Sequence, residues 1–278
     1  MGSGPLVSIC IPSYNNESFI ALTLESVLRQ SYDNFELIIT DDSSTDGTVA
    51  VIRRYTDSRI NLIQNESNLG MGANWNKALS SASGAYVKLL CADDLMYPDC
   101  LAHQVEALEN PSNRSAVLAA CSTNVINAAG EIVLRRKNRF RQGLVNGPKI
   151  IRSCVRWGTN LIGEPVAGLF RREVLARPVA FDPANPYLID LHFWSALLKH
   201  GDAWMDNRFL GAFRISGKSV SAKVGFSQAA RFRDFVRRSY ADPVHHASLM
   251  DVLMGCFFSF QWCILRNLVI KFHARKTH

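Results

Sequence analysis

Two pairs of adjacent carboxylates, Asp41-Asp42 and Asp93-Asp94, each follow a short apolar run in the first hundred residues. Neighbouring carboxylates repel one another unless a cation or hydrogen-bond donors neutralise them, so such a pair at a strand end suits a hard divalent metal, magnesium or manganese. Asp also caps turns and helices, and that alternative stands beside the metal for Asp42 and Asp94. Gly70 and Gly72 bracket a helix start and would let phosphate approach the backbone, although the chain has neither the GxGxxG fingerprint nor a P-loop. The seven cysteines are odd in number and scattered through apolar runs. No pair has zinc spacing, and the pattern is that of reduced, cytosolic thiols.

The elements that must position these side chains alternate. Residues 6–11, 35–40, 60–64 and 86–90 are short apolar runs that read as buried strands. Between them Ile20, Leu24, Val27 and Leu28, then Val49, Ile52 and Tyr55, then Trp75, Ala78, Leu79 and Ala82 recur at helical spacing, with Ser18 or a nearby Asn and then Asp46 as caps. Three strand-helix-strand units in succession predict a parallel α/β sheet with helices on both faces. In such sheets functional side chains gather at the carboxyl ends of the strands. That rule places 12–16, 41–44, 65–68 and 91–94 on one edge and brings both carboxylate pairs to one crevice. Farther on, the pattern predicts a helix through Leu101, Val105 and Leu108, a strand near 117–121, a turn at Ala129-Gly130 and helices over 149–157 and 187–199. The run 135–141 is basic, and reads either as a solvated hairpin or as a loop touching phosphate.

The 278 residues are 47% hydrophobic and 20% charged, which excludes disorder and coiled coil and fits one large domain with an appendage. The net charge of +7 is unevenly placed: residues 1–217 hold 21 basic and 21 acidic side chains, whereas 218–278 hold 10 and 3. We therefore expect a main domain over 1–225 and a basic, apolar helical tail over 226–278. Phe232, Phe235 and Val236 lie among arginines, and the segment 252–270 is apolar and aromatic. Such a tail fits an anionic membrane surface; packing on the main domain, or in a homodimer, is the alternative. Nucleic acid is not an expected partner, because long apolar stretches interrupt the arginines and no recognition motif is present. The N-terminus reads as neither a signal peptide nor a myristoylation site, and the run 252–265 is short of a membrane span.

Taken together, residues 9–15, residues 36–48, Asn68-Leu69-Gly70 with Ala73 and Asn76, and Ala92-Asp93-Asp94 resemble the family 2 glycosyltransferases over roughly residues 6–221. The resemblance implies a GT-A fold, a nucleotide-sugar donor and a divalent metal. By residue, it implies that Pro12, Tyr14 and Asn15 line the nucleotide pocket with Asp41 at the base edge and Asp42 close by, and that Asn68, Gly70 and Asn76 belong to the donor site. It further implies that Asp93 and Asp94 hold Mn2+ or Mg2+. A diphosphate leaving group needs its developing charge neutralised, and a divalent cation does this without proton transfer. Inverting transfer also needs a general base for the acceptor hydroxyl, and Asp190, before an aromatic-bearing helix, matches the family's position, with Glu164 as the fallback. Arg214 and Lys218 match a closing loop that reaches the donor diphosphate, and Arg171-Arg172 a paired-arginine segment, here expected to form structural ion pairs.

The chain departs from the family pattern at Cys91, Ile189 and Ser216, where carboxylates and a histidine are usual. The expected activity is inverting sugar transfer from a UDP-sugar, or a GDP- or dTDP-sugar, to a saccharide or lipid-linked saccharide in bacterial surface polysaccharide or glycolipid assembly. The expected location is the cytoplasmic face of the inner membrane. The rival readings are a catalytically silent nucleotide-binding scaffold of the same fold and a sugar nucleotidyltransferase, whose glycine-rich N-terminal signature is missing.

Overall fold

The computed structural model describes residues 4–183, 186–215 and 227–274, with side chains through 265. The first half is a repeating strand-helix series: β1 (Val7–Ser13), α1 (Ile20–Leu28), β2 (Phe35–Asp41), α2 (Thr48–Ile52), β3 (Ile60–Gln64), α3 (Met71–Ser80) and β4 (Tyr86–Leu89). There follow β5 (Leu95–Met96), α4 (Cys100–Glu109), β6 (Ala116–Ile126), β7 (Ile132–Arg136), β8 (Gly143–Val145), α5 (Gly147–Trp157), β9 (Gly168–Arg171), α6 (Ile189–Leu197) and β10 (Asp202–Arg214). Two helices, α7 (Ser227–Ala241) and α8 (Leu249–Ala274), complete the described chain.

The strands form one sheet in the order β3-β2-β1-β4-β9-β6-β10-β5, with β7 on β6 and β8 on β10. The pairs β1–β2, β2–β3 and β1–β4 are parallel, as the three crossovers require. Beyond β4 the sheet is mixed: β9 runs antiparallel to both β4 and β6, while β10 runs parallel to β6.

Strand side chains alternate between faces, and the two cores follow that period. Ile9, Ile11, Leu37 and Ile39 pack with Ile20, Leu24 and Val27 of α1 and with α4 on one face. Cys10 and Ile38 pack with Ala78 and Leu79 of α3, and with α5, α6 and α7, on the other. Each such fully buried aliphatic side chain contributes about 1.5–3 kcal/mol. Side-chain caps are fewer than expected. Asp46 does accept the Thr48 amide at 3.0 Å, but α1 begins without a side-chain cap. Arg171 and Arg172 also differ from expectation. Instead of ion pairs, Arg171 donates to the carbonyls of Ala116 and Leu108 and to the Tyr86 hydroxyl, and Arg172 to the carbonyl of Gly84. They thus satisfy carbonyls where strands and a helix end.

The C-terminal helices pack on the α/β body. Phe232, Phe235 and Val236 of α7 belong to the same core as α5 and α6. The helix α8 crosses α5 closely, with a Cβ on Gly255 falling 2.1 Å from the Val155 carbonyl and one on Gly158 falling 2.4 Å from the Ser259 amide. Gly158 also ends α5 at φ +61°, a left-handed conformation suited to glycine. Asp251, fully buried, takes the guanidinium of Arg152 at 2.8 Å and that of Arg156 at 2.5 Å. No helix among the described residues is long and apolar enough to cross a membrane.

Candidate functional site

The carboxyl ends of β1, β2 and β4 open onto a cleft of about 1350 Å³. Its walls are completed by the β7 hairpin, the segment 159–165, the start of α6, and Trp262 and Leu265 of α8. Pro12, Tyr14, Asn15, Asp42, Asn68, Gly70, Asp93, Glu164 and Asp190 all line it. Nine of the expected site residues, drawn from segments up to 178 positions apart, therefore meet in one space.

The end of the cleft at β1 and β2 is a hydrogen-bonded scaffold. Asp41 is fully buried and accepts the amide of Ser44 at 2.9 Å and its hydroxyl at 2.5 Å. The same hydroxyl accepts the Asn15 amide at 2.9 Å, and Asn15 Oδ1 accepts the Thr45 amide at 2.8 Å. Asn15 and Ser43 hold left-handed backbone angles, φ 53° and 61°, at the two strand ends. Such conformations are uncommon outside glycine and cluster at ligand-binding positions. Asp42 accepts the amides of Leu69 and Gly70 and the Asn65 side chain at 2.8–2.9 Å. Its carboxylate therefore pins the 65–70 loop, the capping role that was open in the sequence. Gly70, at φ +83°, supplies the turn into α3.

Three expected donor-site residues are elsewhere. Asp41 lies behind the wall. Asn76 is spent on the Phe181 backbone, donating to its carbonyl at 3.0 Å and accepting its amide at 2.8 Å. Arg214 is buried, donates to the carbonyls of Asp93, Asn127 and Ala128 at 2.8–3.2 Å, and stacks over Phe19. In this arrangement it supports the Asp93 loop instead of reaching into the cleft. Lys218 and Ser216 lie outside the described residues.

Asp93 faces the cleft and Asp94 sits behind it, fully buried. Asp94 Oδ1 accepts the Arg214 amide at 2.9 Å, whereas Oδ2 has no hydrogen-bond partner. Burial raises the pKa of Asp93; burial and then the Asp93 charge raise that of Asp94 further. Among the described residues no cluster of three or more His, Cys, Asp or Glu is arranged to hold a metal. Two carboxylates with one orphaned oxygen fit a hard cation that completes its shell with phosphate and water, and do not fit a closed protein cage.

Across the cleft, Asp190 opens α6. Its Oδ2 accepts the Asn160 amide at 2.9 Å and its Oδ1 the Leu191 amide at 2.8 Å. Desolvation first, and then the charge of Glu164, push its pKa up to about 7. Glu164 is ion-paired through Oε1 with Arg136 of β7, and its Oε2 has no partner. Sequence reasoning missed Asn160 and did not single out Arg136. Asn160 also gathers the amides of Ile162 and Gly163 at 2.9 and 3.1 Å, so one side chain shapes the loop and aims the carboxylate. The only sequence signal for Arg136 was its place in the basic run, which spans the end of β7 and the loop after it and puts cations on the cleft wall.

The chain matches the glycosyl transferase family 2 profile over residues 8–177. The WfgD glucosyltransferase of Escherichia coli, described as UDP-Glc:alpha-D-GlcNAc-diphosphoundecaprenol beta-1,3-glucosyltransferase, is 41% identical over 103 residues, 37% of this chain and 41% of that one. The chain spans 62% of the length of an uncharacterized Mycobacterium tuberculosis relative and 40% of that of Bacillus subtilis EpsE, less than two thirds of either. Among solved structures, S. aureus TarS 1–349 in complex with UDP-GlcNAc superposes with a TM-score of 0.68 at 18% identity, over 91% of this chain and 71% of that one. The mannosyltransferase PcManGT from Pyrobaculum calidifontis, in complex with GDP-Man and Mn2+, gives 0.66 at 18% identity over 99% and 76%. These neighbours share the α/β sheet and the layout of helices around it, which is the GT-A fold. With most of that sheet inside the profile match, the chain belongs to glycosyl transferase family 2.

Proposed function

We propose that the protein transfers a sugar from a nucleotide-sugar donor to an acceptor hydroxyl by a single inverting displacement. The observation that carries this reading is that Asp190, a carboxylate with a pKa near 7, shares one cleft with Asp93 and the β1–β2 strand ends. Near neutral pH such a group is basic enough to take a hydroxyl proton and is still about half ionised.

In this reading Pro12, Tyr14, Asn15, Asn68 and Gly70 form the nucleotide end. Asp42 acts through the 65–70 loop that it pins, and Arg214 through the Asp93 loop. Asp93 and Asp94 would hold a divalent cation, Mn2+ or Mg2+, which when bound neutralises the diphosphate leaving group. Asp190 orients the acceptor hydroxyl, accepts its proton at a carboxylate oxygen and leaves the oxygen free to attack the anomeric carbon opposite the diphosphate. Asn160 holds Asp190 in place, and Glu164 keeps its affinity for the proton high. UDP-sugars are the favoured donors; one structural neighbour is in complex with UDP-GlcNAc and another with GDP-Man. The acceptor is a saccharide or lipid-linked saccharide of surface polysaccharide or glycolipid assembly, in keeping with the acceptor in the name of WfgD. The exposed apolar side of α8 would bring the protein peripherally to the cytoplasmic face of the membrane.

Thermal shifts with UDP, GDP and dTDP, each with and without Mn2+, test the donor site on wild type and Asp93→Ala. Stabilisation by one nucleotide that requires both metal and Asp93 is expected. Stabilisation without transfer or donor hydrolysis would favour the silent scaffold, whose case rests on Cys91, Ile189 and Ser216. No shift with any nucleotide at millimolar concentration would overturn the donor-site assignment.

A further inference from the structure

The basic hairpin is placed where the sheet changes strands. The first half of β6 pairs with β9 at Leu118–Ala120, and its second half pairs with β7 at Thr123–Ile126. In the sheet, β7 thus continues the column that β9 begins, next to the exit of β4 that carries Asp93. Arg135 and Arg136 of β7, with Lys137 and Arg139 of the segment just after it, all line the cleft. Arg136 is taken by Glu164, but Arg135, Lys137 and Arg139 are exposed and make no ion pair with any described residue. The carboxylates on the cleft wall are Asp42, Asp93, Glu164 and Asp190. Asp42 is bound by the 65–70 loop, Glu164 by Arg136 and Asp190 by Asn160 and the Leu191 amide, and none of the four carboxylates forms an ion pair with Arg135, Lys137 or Arg139 among the described residues.

The same cations adjoin an apolar surface. The Arg139 guanidinium lies 5.8 Å from the Trp157 ring and 5.6 Å from the Trp262 ring, within cation–π range. Trp262 is fixed by its indole N–H to the Trp157 carbonyl at 3.0 Å. Trp262 and Leu265 line the cleft, and around the helix from them Phe257, Phe260 and Ile264 are 59%, 57% and 40% exposed. Arg139 therefore joins the cationic wall of the cleft to the apolar side of α8.

We infer that the β7 hairpin and α8 form an acceptor subsite for an amphiphile, in which Arg135, Lys137 and Arg139 hold a phosphate-type anion and Trp262 and Leu265 receive the apolar chain attached to it. This rests on the transferase reading and refines it: the acceptor sugar would sit at Asp190, its phosphate linkage on the hairpin, and its lipid along α8. Cations along this wall give charge-assisted contacts to an anion, and the aromatic surface excludes water from the chain. Neither a neutral oligosaccharide nor a water-soluble acidic sugar would use both halves.

The test uses the full chain and three probes: farnesyl diphosphate, inorganic diphosphate and farnesol, titrated by tryptophan fluorescence in EDTA. Farnesyl diphosphate is expected to bind at least about tenfold more tightly than either half alone. The Arg135→Ala/Lys137→Ala/Arg139→Ala variant is expected to lose at least about tenfold of that affinity, and Leu265→Ala to weaken farnesyl diphosphate but not inorganic diphosphate. Equal affinity for farnesyl diphosphate and inorganic diphosphate would overturn the proposal, as would an unchanged triple variant. So would a triple variant that fails only to float with phosphatidylglycerol vesicles, since the cations would then read bulk bilayer charge. UDP binding with Mn2+, measured on the same variant, separates the two readings. If it is retained while farnesyl diphosphate fails, the acceptor subsite alone is wrong; if wild type binds no nucleotide, the transferase reading itself has failed.

Discussion

The side-chain amide of Asn160 donates to Asp190 Oδ2 and to the Gly163 carbonyl, at 2.9 Å in each case. One nitrogen thus ties the proposed base to the loop that carries Glu164. Asn160→Ala is expected to lower kcat by about 10- to 100-fold through loss of orientation. Because Asn160 stabilises the ionised form of Asp190, its removal also moves the acidic limb of the kcat/KM profile to higher pH. A pH–rate profile checks both effects, and a fall in kcat with an unmoved limb would show that Asn160 matters only to the fold.

Glu164 holds the proton on Asp190 by charge repulsion. Glu164→Gln is accordingly expected to shift the acidic limb below pH 7, while Asp190→Asn removes about 10²- to 10⁴-fold of the rate with the protein still folded. Near-normal turnover of Asp190→Asn would take the base role away from it.

The same carboxylate limits stability. Its folded pKa of about 7 exceeds the unfolded value, so the folded state binds more protons, and stability falls as pH rises from about 4 to 7. Asp190→Asn is therefore expected to melt above wild type at pH 8, with the gap shrinking towards pH 4. Thermal melts of the two proteins across that range check the sign.

The crossing of α5 and α8 has no room for side chains at its centre. Gly255→Leu would drive a side chain into the Val155 carbonyl and is expected to cost at least about 1–3 kcal/mol, read as a lower melting temperature. A neutral effect would mean that α8 leaves α5 in solution.

Membrane attachment can be tested without removing the tail. Cutting before 226 would take Phe232, Phe235 and Val236 out of the core, so loss of flotation in such a truncation would be uninformative. Leu253→Glu/Phe257→Glu/Phe260→Glu changes only exposed positions. Wild type is expected to float with anionic vesicles and this variant to remain at the bottom of the gradient. Equal flotation would remove α8 as the attachment surface.

The strand ends were legible because parallel strands buried on both faces are continuous apolar runs, and their helices repeat at 3.6 residues. That was enough to bring Asp93 and the residues around Asn15 to one edge. Asn160 was not legible, since its role arises from a contact with Asp190 thirty positions away and a lone Asn in a loop carries no such signal. Arg214 was expected in the cleft; burial against Phe19 and three carbonyls, all tertiary, turned it towards the Asp93 loop. The packing side of the tail was not legible from composition: Asp251, Gly255, Ser259 and Cys263, spaced by four, are the residues that pack inward. Small residues at that spacing mark a close helix crossing, and large ones beside them are left outside.

That crossing bears on how such a protein can be recombined. A helix that meets its neighbour backbone to backbone through Gly158 and Gly255 cannot be transplanted onto another catalytic body unless α5 travels with it. Chimeras that join the donor half of one relative to the acceptor half of another should therefore tolerate a junction before α5 far better than one between α5 and α8.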